Sequence, residues 1–167
     1  YASLTPLEHL RVVGELHGMT AAEIDAESRR LLEAFELGDR AGDLVGGFSR
    51  GMRQKTAIAC AILPRPALLV LDEPMTGLDA ETTLVLKALL RRWAARGGAV
   101  LYTSHLLDVV ERVCDRMAVL ARGSLVASGD LDELRAQAGQ GRSLEEVFRA
   151  LTRSEDPDLK AARILGG

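Results

Sequence analysis

Cysteine, aromatic residues and long hydrophobic runs are all scarce in this sequence. Its two cysteines, Cys60 and Cys114, lie within apolar helical patterns and lack the spacing of metal ligands, so we expect buried free thiols in a reducing compartment. No apolar run approaches the length that spans a bilayer, and the first residues show no signal-peptide pattern. We therefore expect a soluble, cytosolic chain whose cysteines form no metal site.

An excess of basic residues is also absent. The formal net charge is −3 and the lysines and arginines are scattered, which argues against binding to nucleic acid or to an anionic membrane surface. What is present is a chain of one-domain length in which 47% of the residues are hydrophobic and only 4% are aromatic. This composition is typical of a compact α/β or α-helical protein with an aliphatic core.

The chain opens with two predicted helices. Residues 5–8 and 20–23 each have the sequence of a capping box, with threonine at the N-cap and glutamate three positions later. Apolar residues at helical spacing continue each pattern, so we predict one helix over residues 6–18 and a second that stops at Gly38. A polar loop follows over residues 39–47.

An aliphatic run at residues 67–71 ends in two adjacent acids, Asp72 and Glu73. Such a run predicts a strand buried on both faces, as in a parallel sheet covered by helices. Ligands of open α/β sheets bind at the carboxyl ends of the strands. There, Asp72 would hold Mg²⁺ and Glu73 would polarise a water that attacks a phosphoryl group. The alternative is a strand that ends at the surface with two solvated acids.

A second candidate site lies at the start of a helix that Pro64 ends. Ser49 is the expected N-cap, Gly51 follows in the first turn, and basic residues stand behind them. The free backbone N–H groups, the hydroxyl and the positive end of the helix dipole would all face one point, which indicates an anion site. The alternative is an ordinary capped helix.

Two more candidates flank the next helix. Asp79 is placed to cap a long amphipathic helix that ends at Gly97, and residues 99–103 predict a second buried strand. His105 follows that strand, where it would either bond a phosphate or be an ordinary loop histidine. Beyond it we predict a short helix and a hairpin around Arg122-Gly123. Two capped helices, a flexible link over residues 137–142 and a disordered tail complete the chain.

Taken in order, these residues resemble the ATP-binding-cassette (ABC) ATPases, and the resemblance extends from Tyr1 to about Leu151. Its motifs are the signature at residues 48–52, the Walker B strand with its catalytic glutamate at residues 68–73, the D-loop at residues 76–79 and the switch histidine His105. The resemblance implies a P-loop NTPase (RecA-like) fold of class α/β, with a parallel sheet core and an inserted helical subdomain.

The chain departs from the family pattern in two respects. Arg50 replaces a glycine of the signature and Met52 replaces its glutamine, whereas Ser49 and Gly51 are kept. The Walker A motif G-x-x-x-x-G-K-[ST], which cradles the nucleotide phosphates, does not occur in the sequence. The chain also begins at Tyr1 rather than at methionine, so we expect that an upstream part with this motif and the Q-loop glutamine is missing.

The resemblance also implies roles for the candidate residues, with ATP and Mg²⁺ as ligands. Asp72 would hold the cation, Glu73 would act as the base, and His105 would bond the γ-phosphate. In a head-to-tail dimer, the signature would contact ATP bound to the partner subunit, and Asp79 would lie at the dimer interface. The signature residues are Ser49, Arg50, Gly51 and Met52. The implied divisions are a helical subdomain at 1–47, the core at 48–129, C-terminal helices at 130–152 and a disordered tail at 153–167.

The partners implied are membrane-spanning permease subunits and a second nucleotide-binding subunit, with no nucleic acid. The protein would then sit on the cytoplasmic face of the cell membrane through its permease. A helix resembling that of drug-resistance exporters, at residues 144–148, favours export. Two alternatives remain, a non-transport ABC ATPase that works on nucleic acid and a non-catalytic partner domain that cannot hydrolyse ATP alone.

Overall fold

The computed structural model describes residues 1–138, 143–152 and 157–165. They divide into two compact units, Tyr1–Thr103 and Ser104–Gly167. The divisions that we expected after residues 47 and 129 fall inside these units rather than between them. The expected division at residue 47 separates segments that pack together, because the first two helices of the chain contact the third.

Three helices open the first unit: α1 (Pro6–Leu16), α2 (Ala21–Ala34) and α3 (Arg50–Ile62). Both predicted capping boxes are present, with Thr5 capping α1 and Thr20 capping α2. Helix α2 ends before Gly38 because Glu36 adopts the left-handed conformation, with φ of 57°. The expected loop contains two 3₁₀ turns, Gly38–Arg40 and Val45–Gly47.

Aliphatic side chains form most of the buried core of this unit, as the composition predicts. The helices meet through residues that are spaced to share one face, and the strand and helix that follow add to the same interior. The buried apolar residues of the three helices and of the later elements are Leu10, Ile24, Leu31, Leu32, Phe35, Ile58, Ala59, Ile62, Leu69, Leu71, Leu86 and Leu90.

The strands of the first unit form a parallel pair. Strand β1 (Leu68–Asp72) is followed by helix α4 (Ala80–Ala95) and strand β2 (Ala99–Thr103), and α4 packs against β2. The register places Asp72 opposite Thr103, so the two strands end side by side. This β-α-β arrangement brings the acids of β1 to the carboxyl edge of the sheet.

The sheet differs from the prediction in its burial. Leu69 and Leu71 are buried, but Leu68 and Val70 are 52% and 62% exposed, and Leu101 of β2 is 56% exposed. The expectation that these strands are buried on both faces is therefore wrong. A parallel sheet is buried on both faces only where helices cover both faces. The alternating exposure along β1 indicates that the described residues of the chain cover one face of this sheet.

The second unit contains an antiparallel hairpin and helices. Its elements are α5 (Leu107–Val113), β3 (Met117–Ala121), β4 (Ser124–Gly129), α6 (Leu131–Ala138), α7 (Leu144–Thr152) and α8 (Pro157–Leu165). The hairpin turns at Arg122 and Gly123, both with positive φ, as a two-residue turn requires. Val119 and Ala127 of the hairpin pack with Leu134 and Val147 of the helices to form its core.

Two expectations concern the end of the chain. The disorder predicted for residues 153–167 is wrong for the part that the structure describes, because Pro157–Leu165 forms helix α8. Proline at the first helical position, followed by good helix formers, favours a helix there. The link predicted at 137–142 begins within α6, and its residues 139–142 lie outside the described residues, as do 153–156 and 166–167.

The two cysteines are free thiols of intermediate burial. Burial raises the pKa of the Cys60 thiol to about 11. Burial also raises the pKa of Cys114, and the negative charge of Asp115 adds to that effect. Within the described part of the chain, no helix combines the length and the apolar character needed to cross a membrane.

Candidate functional site

The start of helix α3 has the geometry of an anion-binding helix end. Ser49 caps it in an extended conformation, and its Oγ accepts a hydrogen bond of 3.2 Å from the backbone N–H of Met52. Phe48, immediately before the cap, is buried and anchors the chain, whereas Ser49 and Arg50 are exposed. The first-turn N–H groups and the hydroxyl therefore lie at the surface, at the positive end of the helix dipole.

Asp72 and Glu73 occupy the end of β1 in different ways. Asp72 is exposed and its carboxylate accepts a hydrogen bond from the hydroxyl of Thr103 on the neighbouring strand. Glu73 is half-buried and left-handed, with φ of 46°, and its N–H donates to the Thr103 carbonyl at 3.1 Å. The hydroxyl of Thr76 donates to Oε2 of Glu73 at 3.4 Å. The positive φ ends the alternation of the strand and fixes where the second acid stands.

The residues after these acids pack directly on the start of α3. The side-chain amide of Gln54 donates to the carbonyl oxygen of Pro74 at 3.1 Å. A β-carbon on Gly51 would lie 2.8 Å from the carbonyl oxygen of Gly77, and one on Gly77 would lie 2.9 Å from Cδ of Arg50. Residues of the predicted signature and of the predicted D-loop of one chain are therefore in close contact, and the Arg50 stem lies on Gly77.

Asp79 caps helix α4, as its position predicts. Its carboxylate accepts hydrogen bonds of 2.7 Å from both the backbone N–H and the hydroxyl of Thr82. These bonds, the backbone one first, lower the pKa of Asp79. Lys55 of α3 lies 4.0 Å from the same carboxylate and 3.3 Å from Glu36, with its side chain only 12% exposed. Lys55 thus holds the negatively charged carboxylate of Asp79 near helix α3.

His105 lies in the second unit, two residues past β2 and just before α5. It is exposed. The backbone N–H of Leu106 donates to the Ser104 hydroxyl at 3.0 Å, which shapes the loop that carries the histidine. The other candidate residues, from Ser49 to Asp79, belong to the first unit, where Arg50 and Gly51 contact Gly77.

The donor set suits a magnesium ion that arrives with phosphate. Mg²⁺ keeps several waters and binds proteins through one or two carboxylates together with substrate phosphates. Asp72 offers an exposed carboxylate at the strand end. Among the residues that the structure describes, no three His, Cys, Asp or Glu side chains form a group that could hold a metal by themselves. Asp72 therefore fits a cation that is held mainly by phosphate oxygens and water.

Sequence reasoning missed two residues that tie this site together, Gln54 and Lys55. Both follow the signature on α3, and their partners, Pro74 and Asp79, lie about twenty residues away. A polar residue on a helix gives no signal of such a contact, because helical periodicity identifies the buried face but not its polar partners.

Comparisons with known proteins find similarity to the ATP-binding proteins of ABC transporters. A family model described as "ABC transporter" matches residues 3–76. The ABC-type transporter ATP-binding protein EcsA of Bacillus subtilis is 38% identical over 93% of this chain and 63% of that protein. The daunorubicin/doxorubicin resistance ATP-binding protein DrrA of Streptomyces peucetius is 34% identical over 96% of this chain and 49% of that protein.

A solved structure gives the same result for the fold. The structure of an ATP-binding subunit of an ABC transporter superposes with a TM-score of 0.85 and 38% identity, covering 91% of this chain and 64% of the other. This match confirms the predicted P-loop NTPase fold of class α/β. The chain spans about half to two thirds of the length of the relatives it matches. Over most of its length, the chain is similar to ABC transporter ATP-binding proteins.

Proposed function

We propose that the full-length protein containing this chain binds and hydrolyses ATP and couples the closure of a nucleotide-sandwiching dimer to export across a membrane. The observation that carries the proposal is the packing of the Ser49-capped helix start against residues 74–77, which directly follow Asp72 and Glu73. A phosphate-binding helix end and a pair of acids at a strand end are thereby parts of one structural unit.

In this proposal, the chain supplies positioning and charge to the ATP bound at its own site. Glu73 accepts a hydrogen bond from the attacking water and polarises it. Asp72 would hold Mg²⁺, which would supply positive charge to the phosphates of ATP when bound. His105 bonds the γ-phosphate and responds to its loss. These groups stabilise developing charge and form no covalent bond to the substrate.

The signature would act on ATP held by the partner subunit. The Ser49 hydroxyl and the first-turn N–H groups of α3 face outward, which suits binding to a γ-phosphate across an interface. Gly51 leaves the backbone open to close approach, and Arg50 and Met52 complete the same turn. Asp79, linked through Lys55 to α3, would lie at the dimer interface and connect the two ATP sites.

The partners proposed are a second copy of the nucleotide-binding subunit and membrane-spanning permease subunits, with no nucleic acid. The protein would lie on the cytoplasmic face of the membrane, attached through the permease. Export is supported by relatives whose names refer to export. One is the Nod factor export ATP-binding protein I of Bradyrhizobium diazoefficiens, which is 40% identical over 78% of this chain. The helix at Leu144–Thr152, which resembles that of drug-resistance exporters, points the same way.

A second candidate function follows from the missing Walker A motif. The 167 residues contain no G-x-x-x-x-G-K-[ST], so we infer that this chain by itself does not hydrolyse ATP. It would instead act as a partner domain that donates signature residues. The test mixes this chain with a subunit that carries Walker A and has arginine in place of the serine equivalent to Ser49. It distinguishes a chain that donates signature residues from an inert one. Restored turnover supports donation, and unchanged turnover contradicts it.

Replacing the proposed base tests the main proposal directly. In the full-length protein, Glu73→Gln is expected to reduce ATP turnover at least about 100-fold while ATP binding stays within about twofold, because only the water-polarising group is lost. The matched control is Glu145→Gln, an exposed glutamate of α7. Turnover near the wild-type rate in Glu73→Gln would show that the base is assigned wrongly.

A further inference from the structure

We propose that Gln54 is a positioning residue for Glu73, acting through the carbonyl of Pro74. The inference rests on the proposed role of Glu73 as the group that polarises water. Gln54 lies on helix α3, whereas Glu73 and Pro74 follow strand β1. The side-chain amide of Gln54 donates a hydrogen bond of 3.1 Å to the carbonyl oxygen of Pro74.

The backbone at Glu73 needs outside support. Its φ of 46° lies in the left-handed region, which a residue with a β-carbon adopts only when its surroundings hold it there. Strand β2 holds one side, because the Glu73 N–H donates to the Thr103 carbonyl at 3.1 Å. The following turn holds the other side, because the Thr76 N–H donates to the Glu73 carbonyl, also at 3.1 Å.

Gln54 provides the third point of attachment. Pro74 is fully buried and has no N–H, so its carbonyl is the one polar backbone group by which that residue can be held. The contacts at Thr103 and Thr76 run from backbone to backbone, whereas the Gln54 contact comes from a side chain on a packed helix. Of these three attachments of the backbone, it is therefore the one that a single substitution removes, whereas the Thr76 hydroxyl contacts the Glu73 carboxylate.

The placement of a catalytic carboxylate is sensitive to small shifts. A displacement of about 1 Å can lower a rate by about 100-fold, because the water must be held in line with the reacting phosphorus. Without the Gln54 bond, the peptide between residues 74 and 75 gains freedom, and the Glu73 carboxylate, one residue upstream of Pro74, is placed less accurately. The binding of ATP, which depends on other residues, is not affected.

The test is a pair of substitutions in the full-length protein. We expect Gln54→Leu to lower kcat for ATP hydrolysis about tenfold with KM within about twofold, because a positioning defect affects the transition state and not ground-state binding. Gln54→Glu keeps the size of the side chain but replaces its donor by a carboxylate, and we expect at least the same loss. It also serves as the test if the leucine variant does not fold. Gln137→Leu, the same change at an exposed site on α6, is expected to match wild type.

A double-mutant comparison distinguishes positioning from general damage. If Gln54 acts through Glu73, adding Gln54→Leu to Glu73→Gln leaves the residual turnover unchanged. The inference is overturned if Gln54→Leu causes an equal tenfold loss in the wild-type and Glu73→Gln backgrounds. It is also overturned if Gln54→Leu and Gln54→Glu, each alone, keep kcat within twofold of wild type. Failure of the proposed function itself is recognised separately, since Glu73→Gln alone would then turn over ATP near the wild-type rate.

Discussion

The backbone of Gly51 approaches Gly77 so closely that a β-carbon on residue 51 would lie 2.8 Å from the Gly77 carbonyl oxygen. The first turn of α3 and the turn after β1 are thus in van der Waals contact through backbone atoms. Neither partner is a flexible side chain that can swing aside. The two glycines therefore fix the distance between the predicted signature and the predicted D-loop of the same chain.

Gly51→Ala is expected to lower the free energy of unfolding by about 1–3 kcal/mol, because the added methyl forces the Gly77 turn away from α3. Chemical denaturation measures the change. The control is Gly42→Ala, where a β-carbon meets no atom within 4 Å. Equal stability of the two variants would show that the turn moves without resistance.

Ser49→Arg is expected to prevent the ATP-dependent dimer of the full-length protein without weakening ATP binding to a single subunit. The larger, positively charged side chain would fill the space at the helix start where the partner's ATP is proposed to sit. Size-exclusion chromatography in the Glu73→Gln background, where ATP is not consumed, measures the dimer. Ser124→Arg on β4 is the matched control, and a dimer that persists in Ser49→Arg contradicts the assignment.

Asp79→Ala is expected to lower the melting temperature by roughly 2–4 °C at neutral pH, because helix α4 loses its N-cap. The pKa of Asp79 is lower in the folded than in the unfolded chain. Its contribution to stability is therefore complete above the unfolded pKa of 3.8 and is lost as the pH falls through the folded value.

The difference in melting temperature between wild type and Asp79→Ala is thus expected to narrow below about pH 4. Thr82→Val, which removes only the hydroxyl donor, provides an intermediate control because the backbone N–H still reaches Asp79. A difference that stays constant down to pH 2 would mean that the charged form of Asp79 adds nothing to the cap.

Cys60 is expected to resist alkylation in the folded chain. With a pKa of about 11, its thiolate fraction at pH 8 is on the order of 100-fold below that of an ordinary thiol, and burial limits access further. Mass spectrometry after iodoacetamide treatment of Cys114→Ala measures the rate. The same variant in denaturant is the control, and equal rates in the two conditions contradict the burial of this thiol.

Local features of the chain were predictable from the sequence. Thr5 and Thr20 define helix starts because their side chains bond to N–H groups three residues away, and Ser49 and Asp79 cap α3 and α4 for the same reason. The motif order around Asp72 and Glu73 also predicted the family and the fold. The caps are interactions over short stretches of chain, and each motif is a short pattern of residue types, so the sequence determines both by itself.

Other features depend on residues that are distant in sequence, and only the tertiary structure decided them. The aliphatic run of β1 predicts a strand, yet the exposure of Leu68 and Val70 depends on which elements cover the sheet. The bond from Gln54 to Pro74 depends on how α3 packs beside the end of β1, and no local pattern encodes it. Burial and long-range polar contacts arise from the packing of whole elements, whereas caps and strand propensity arise within one element.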